Sequence, residues 1–415
     1  MTRHLNVYLY GQKVGVLSED SQGRLSFQYG ANAKLPISVR MPVRAEPYDS
    51  RYAEPFFDNL TPEDVALEII SRKFHVSEDN VFSILEKIGG DCAGAVSLYE
   101  NDIPNASGDT PTGFDESEIA HMIDELPDNP LLTGMANAPR LSLAGVQSKF
   151  AVYKIDGKYC RSDDRHPTTH IIKVAHKRYP NLPENELFCM KLAKNILGTV
   201  DVQLCEAKGR KYLEIERYDR ISDGNHIKRI HQEDFCQILG VPARRKYQND
   251  GGPKIRDCYN AILKYSSQAA ADANKFVNQI VFNYLIGNTD AHAKNFSMLH
   301  RDGHILLSPV YDLISAEIYP EKDISREIAM SINGKGKYRA IGKKDFLALY
   351  EQLGLNPKNA QRLAKGKFSK IIKVAESIRD ELNGNHLSGS EIYDAIIDII
   401  RQRMERLFDG NHESG

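Results

Sequence analysis

The chain has 415 residues, room for two or three domains, and its 41% hydrophobic and 27% charged residues are those of a soluble globular protein. A net charge of −2 excludes a chain drawn as a whole to nucleic acid or membrane, so either partner would need a local patch. The six cysteines are scattered with no Cys-x-x-Cys pair, no apolar run approaches the ~20 residues of a membrane span, and no signal peptide opens the chain; together these predict a reduced, cytoplasmic protein without a membrane partner.

In chain order, Leu5 to Tyr10 and Lys13 to Leu17 read as strands around a Gly11-Gln12 turn, with a third strand from Leu25 to Tyr29. A segment broken by Pro36, Pro42 and Pro47 leads to Pro55-Phe56-Phe57-Asp58-Asn59-Leu60 and two helices near 62–74 and 79–89. Thr61-Pro62-Glu63-Asp64 reads as a helix start, with the hydroxyl as cap. Residues 101–114 have linker composition, which puts a boundary there: an N-terminal β-rich module over 1–114, then 115–220 and 221–415. Asp115 to Leu126 reads as a short helix.

Residues 139–149 form a small-residue loop, Leu143-Ala144-Gly145-Val146-Gln147-Ser148-Lys149, before a strand from Phe150 to Ile155 and an Asp156-Gly157 turn. Such a loop can close backbone N–H groups over phosphates, although with one glycine it is equally an ordinary loop. Thr168 to Val174 is a β-branched strand with one lysine, Lys173. A strand lysine facing a nucleotide pairs its phosphates; a strand lysine on a surface merely snorkels. The next helix, Glu184 to Ile196, opens with Glu184 and Glu186, either of which could pair with Lys173. Strands Val200 to Ala207 and Tyr212 to Ile215 flank Lys208-Gly209-Arg210 and run into Glu216-Arg217-Tyr218-Asp219-Arg220, a passage from sheet to helix. Helices follow at Gln232 to Leu239, Ile255 to Tyr265 and Ala269 to Ile286.

The chemistry concentrates in 288–312. The helix ending at Gly287 delivers Asn288-Thr289-Asp290-Ala291-His292-Ala293-Lys294-Asn295 on a loop. Strands Phe296 to Leu299 and His304 to Leu307, around Arg301-Asp302-Gly303, then return Asp312 beside it. Phosphoryl transfer from ATP needs a carboxylate to orient the attacking hydroxyl and hard oxygen ligands for Mg²⁺. Protein kinases place the catalytic Asp and the metal-binding Asn five residues apart, with a second metal Asp after a hairpin. Asp290, Asn295 and Asp312 repeat that spacing. Without Asp312, the string would read equally as a polar loop capped by Asp290.

Past Asp312, 329–339 with Lys343 and Lys344 is a basic, glycine-containing stretch. It reads as a solvated loop or as a contact to a nucleic-acid backbone. Lys344 to Leu353, Lys367 to Leu382 and Ser390 to Leu407 show helical periodicity.

In this order, Phe56-Phe57-Asp58-Asn59-Leu60, Ser142-Leu143-Ala144-Gly145-Val146-Gln147, His170-Ile171-Ile172-Lys173, Glu216-Arg217-Tyr218-Asp219-Arg220, Asp290 to Asn295 and Tyr311-Asp312 resemble the HipA-type toxin kinases of bacteria over about residues 5 to 405. The resemblance implies an α+β, two-lobed protein-kinase-like fold, similar to phosphoinositide kinases, with 115–220 as N-lobe and 221–415 as α-rich C-lobe. It implies a serine/threonine kinase with ATP and Mg²⁺ as cofactors. Asp290 would be the base, Asn295 and Asp312 the metal ligands, and Lys173 a phosphate contact. Ala144, Gly145, Val146, Gln147, Ser148 and Lys149 would cover the phosphates; Glu216, Arg217 and Tyr218 would form the hinge to adenine; and His292, Ala293, Lys294 and Tyr311 would line the site. Ser142 matches the serine that the family autophosphorylates. Its phosphate, at roughly −1.5 to −2 charge, would oppose the triphosphate and eject the loop.

The implied partners are a helix-turn-helix antitoxin (HipB-like), a protein substrate (glutamyl-tRNA synthetase for the type member) and operator DNA, reached through the antitoxin complex and through Lys335, Lys337 and Arg339. Departures are modest: Ser148 replaces an acidic residue, and the hinge aromatic is Tyr218 rather than Phe. A small-molecule kinase and a non-enzymatic co-repressor are the competing readings.

Overall fold

Alternating apolar residues at the start of the chain build a first sheet. The computed structural model describes residues 2–103, 111–132, 148–163, 166–175, 178–223, 226–321 and 324–409. These form two compact units: Met1–His176 with Cys205–Arg244 and Met298–His304, and Lys177–Leu204 with Arg245–Ser297 and Ile305–Gly415.

In the first unit, β1 (Arg3–Leu9), β2 (Gln12–Glu19), β3 (Leu25–Tyr29) and β4 (Val96–Tyr99) pair in the order β3-β2-β1-β4. Tyr10 and Gly11 both take positive φ, 53° and 75°, so the β1–β2 turn lies one residue earlier than its sequence suggests. Leu5, Val7, Leu17 and Phe27 face a core closed by Phe56 and Phe57. Those two phenylalanines belong to helix Ser50–Asp58, which periodicity missed. Pro55 in its interior lacks the N–H of a regular turn and hid it. The start expected at Thr61 is also corrected. The Thr61 hydroxyl donates to the Asp58 carbonyl, and helix Asp64–Phe74 begins after Glu63 with no side-chain cap.

A second sheet comprises β5 (Lys149–Ile155), β6 (Lys158–Cys160), β7 (His170–Val174), β8 (Val202–Ala207) and β9 (Arg210–Glu216), in the order β6-β5-β7-β9-β8. One face carries Phe150, Val152, Ile172 and Val174 against Ile119, Met122 and Ile123 of helix Glu116–Glu125. That helix starts at a capping box in which Asp115 and Glu118 exchange hydrogen bonds. On the other face, Ala151 and Ile171 pack with Ile70, Ile84 and Ile88 of the N-terminal helices. The N-terminal module and the second sheet therefore share apolar packing. The helix expected from Gln232 is half strand: His231–Asp234 is extended, and the Asp234 side chain then caps a short helix, Phe235–Leu239, through Gln237.

Glu216-Arg217-Tyr218-Asp219-Arg220 carries a buried charge network. Arg217 binds both oxygens of Asp219 at 2.9 and 2.8 Å and the Thr168 hydroxyl at 2.8 Å. Arg220 meets Asp91 at 2.8 Å, and Arg229 approaches it at 3.4 Å. Burial alone would raise both carboxyls. Arg229, Arg220 and Arg217 instead hold Asp91 well below the usual range, and Arg217 and Arg220 bring Asp219 to about 2. Burial and the adjacent Arg217 bring the Arg220 guanidinium down to about 10.

Beside it, His231 is fully buried, with Nε2 2.8 Å from the Ile37 carbonyl. Glu233 lies 2.9 Å from both the Val39 N–H and His300 Nε2. Burial, then the neighbouring His300, push the His231 imidazole down to about 4.

The second unit is mainly helical. Helix Ala269–Ile286 is its centre, buried through Phe276, Ile280, Phe282, Tyr284 and Leu285. Helices Leu182–Ile196, Ile255–Tyr265, Lys343–Gln352, Pro357–Phe368, Ile371–Asn383 and Ile392–Met404 belong to the same unit. Pro357–Phe368, capped by Asn356, was not legible as a separate helix because only Gln361, Ala364 and Phe368 are buried on it.

Two stability predictions follow from the buried charges. Asp219→Ala strands Arg217 and Arg220, and the loss expected by urea unfolding is about 3–5 kcal/mol. Below pH ~6.5 the unfolded chain protonates His231 while the folded chain does not, so this contribution is present above that pH and is lost as the pH falls towards about 4. Urea midpoints should fall through that window by the equivalent of up to ~3 kcal/mol, and His231→Gln should flatten the slope.

Candidate active site

The loop that carries Asp290 is fixed at its start by a helix end. Gly287 closes helix Ala269–Ile286 in the left-handed conformation, φ 73°, and its N–H returns to Asn283 and Tyr284 carbonyls. Asn288 then bridges outward: its Nδ2 donates to Asn283 Oδ1 at 2.7 Å, and its Oδ1 accepts the Asp290 N–H at 3.1 Å. The His292 N–H donates to the Asp290 carbonyl at 2.7 Å, and Ala293–Asn295 makes a single 3₁₀ turn. Ala293, Lys294 and Asn295 are buried.

Asp290 is half-buried and accepts the Tyr247 hydroxyl at 2.7 Å on Oδ1. Asn295 Nδ2 lies 3.5 Å from Asp312 Oδ2, so the two residues proposed as metal ligands are neighbours. A carboxylate and an amide oxygen at that spacing suit a hard divalent cation once the amide presents its oxygen. Asp312 itself is held at φ 56°, a conformation that costs a non-glycine residue of order 1–3 kcal/mol. Tyr311 bonds the Lys294 carbonyl at 2.6 Å and Ser297 Oγ at 2.7 Å, tying the segment before Asp312 to the loop.

Sequence reasoning missed three residues here. Asn288 has no assigned role in the loop motif, and Tyr247 lies 43 positions from Asp290. Asn185 is fully buried: its Nδ2 donates to the Ser315 carbonyl at 3.0 Å and its Oδ1 accepts the Ser315 N–H at 2.8 Å. It fixes the chain three residues past Asp312, while its neighbours Glu184 and Glu186, buried in the same helical turn, had drawn attention instead.

The other proposed nucleotide contacts lie in the first unit. Lys149 and Lys173 are directly opposed on β5 and β7, and both are buried. Glu216 ends β9 opposite His170 and is exposed. Arg217 does not belong to a hinge through its own groups: its N–H donates to the Thr169 carbonyl at 2.9 Å and its guanidinium is consumed by Asp219 and Thr168. Tyr218 is half-buried, its hydroxyl bonded to Gln232. Ser148 and Lys149 are described; Ser142, Ala144, Gly145, Val146 and Gln147 lie outside the described residues.

The basic stretch is a hairpin, Glu327–Ile332 with Lys335–Lys337, turning at Asn333 and Gly334, both at positive φ. Lys335 is paired with Asp345 at 2.9 Å. Lys337 and Arg339 are exposed.

Residues 5–99 match the model of the HipA N-terminal domain, and residues 141–377 match that of the HipA-like C-terminal domain. The chain belongs to the HipA family. A Sinorhizobium fredii protein whose name classes it with the kinases is 41% identical over 83% of this chain and 83% of its own length. The serine/threonine-protein kinase toxin HipA of Shewanella oneidensis is 28% identical over 78% of this chain and 76% of its own. A solved complex of Shewanella oneidensis HipA, HipB and operator DNA contains a chain of the same fold, with a TM-score of 0.83 at 23% identity, covering 99% of this chain and 100% of that one. This HipA relative is thus a kinase of α+β, kinase-like fold.

Removing Asn185 tests the support behind Asp312. Asn185→Ala leaves two buried backbone groups of Ser315 without partners, each worth ~1–3 kcal/mol. Denaturant unfolding should register a loss of that order, and phosphoryl transfer should fall with it.

Proposed function

We propose that this chain transfers the γ-phosphoryl group of ATP to a serine or threonine hydroxyl of a protein and serves as the toxin of a toxin–antitoxin pair. The observation that carries the reading is the closeness of Asn295 and Asp312 beside the loop that carries Asp290, all in the second unit. Asp290 orients the acceptor hydroxyl and takes its proton as the hydroxyl oxygen bonds to the γ-phosphorus and ADP departs. Asn295 and Asp312 are the side chains suited to hold Mg²⁺, which when bound neutralises phosphate charge. The opposed Lys149 and Lys173 supply positive charge for the phosphates. His292, Lys294 and Tyr311 line the loop, and Glu216 and Tyr218 are the hinge positions left once Arg217 is committed elsewhere.

Residues 144–149 would close over the phosphates, and phosphorylation of Ser142 would switch the enzyme off by charge repulsion. The named relatives support the partners: an antitoxin of the HipB kind, and operator DNA beside it. On this chain, Lys337 and Arg339 are the exposed cations of the basic hairpin suited to a phosphate backbone, whereas Lys335 is spent on Asp345.

Peptide mass spectrometry of wild type and Asp290→Asn, each incubated with ATP and Mg²⁺, tests the reading. The expected result is one phosphate on Ser142 in wild type and none in the variant, whose melting temperature stays within a few degrees. Phosphate on both proteins would remove Asp290 from the role of base. Nucleotide-dependent stabilisation with labelled transfer only to a metabolite would favour a small-molecule kinase.

A further inference from the structure

We propose that Tyr247 is a positioning residue for phosphoryl transfer: its phenol holds the Asp290 carboxylate by one oxygen and leaves the other to the acceptor hydroxyl. The inference rests on the kinase reading above and adds to it a residue that no motif marks.

A carboxylate turns readily about its last bond, and a base that turns loses the alignment on which in-line transfer depends. The Tyr247 hydroxyl donates to Asp290 Oδ1 at 2.7 Å. Among the described residues nothing hydrogen-bonds Asp290 Oδ2. The tyrosine ring stands edge-on to His292, with centroids 5.2 Å apart and planes at 83°, so the ring too has a fixed place beside the loop.

The arm that carries Tyr247 is rigid. The Asp250 and Gly252 N–H groups both donate to the Tyr247 carbonyl, at 3.1 and 2.9 Å. The turn is so tight that a Cβ on Gly252 would lie 2.1 Å from the Arg245 carbonyl oxygen and 2.6 Å from that of Tyr247, which only glycine allows. The side chain of the next residue, Gln248, makes two bonds to Ser331, both 2.8 Å: its Nε2 donates to the Ser331 hydroxyl and its Oε1 accepts the Ser331 N–H. Asn249 adds a bond to Glu327 at 3.0 Å. Two residues from Ser331, the Ala329 N–H donates to the Thr289 carbonyl at 2.9 Å, next to Asp290. One strand, Glu327–Ile332, therefore sets both the donor and the acceptor of the Tyr247–Asp290 bond. A tyrosine merely filling the place of an absent substrate would need freedom to leave; this one is bolted at its backbone and at both following side chains.

The test compares wild type with Tyr247→Phe, which keeps the ring and removes the donor. Initial rates of transfer from γ-labelled ATP with Mg²⁺ are read on the chain itself and on myelin basic protein. A charge-assisted bond of this kind predicts a maximal rate ~10- to 100-fold lower. The ATP concentration for half-maximal rate and the melting temperature should hardly move. Ser331→Ala, which loosens the arm and leaves the phenol, should lower the maximal rate in the same direction by a smaller factor, and it serves if Tyr247→Phe fails to fold. A Tyr247→Phe enzyme as fast as wild type or faster overturns the inference alone. A parallel loss of rate, ATP affinity and thermal stability also overturns it, because that is the mark of a packing role. A wild type inert towards both acceptors overturns the kinase reading, and this inference with it.

Discussion

A carboxylate in the role proposed for Asp290, orienting a hydroxyl, has to be prevented from turning, and the second unit holds Asp290 from three sides of its loop. The buried helix Ala269–Ile286 ends at a left-handed glycine, Asn288 spans from that helix to the Asp290 N–H, and Tyr247 grips one carboxylate oxygen. Each is a short-range bond anchored in packed structure, so the rigidity of the core reaches Asp290 through few links. Asp312 illustrates the other side of this design. Its left-handed backbone is unfavourable by itself, and it persists because Tyr311 on one side and Ser315 on the other are tied down.

The first unit solves a different problem, namely how to join a small β-rich module to a second sheet. Apolar contact accounts for part of it, through Ala151 and Ile171 against Ile70, Ile84 and Ile88. The rest is ionic. Asp91 comes from the N-terminal module, while Arg217, Arg220 and Asp219 follow β9. Buried ion pairs add little over apolar packing of the same shape, but they tolerate no substitute partner, so they fix one arrangement of the pieces. Here they fix the segment immediately after the exposed Glu216, where an adenine hinge would lie.

Strongly periodic elements were legible from sequence. Ile255–Tyr265 and Ala269–Ile286 coincide with their expected spans, as does Leu25–Tyr29, because apolar spacing and flanking breakers agree there. Helix Ser50–Asp58 was hidden by its own proline, and strand His231–Asp234 by the helix that its last residue caps. Of the candidate site, the closeness of Asn295 and Asp312 was readable, because a hairpin between them returns the chain to the loop that carries Asp290. Tyr247 and Asn185 were not, because a hydrogen bond from a distant part of the chain leaves no local pattern. Arg217 sits in a motif beside the expected hinge, and its side-chain charge, which no local pattern predicts, faces a buried aspartate.

The Asp91 network also bears on how far this chain can be divided. The family's N-terminal domain ends by sequence at residue 99. Asp91 lies inside that limit, and its three arginine partners lie beyond it. A fragment ending there would carry a carboxylate without counterions, and the remainder would carry guanidinium groups packed for an anion that had gone. The sequence boundary is thus not a seam along which the protein comes apart. A chain cut in the linker after β4 would instead hold two complementary halves, each with a charge deficit that only the other can cancel.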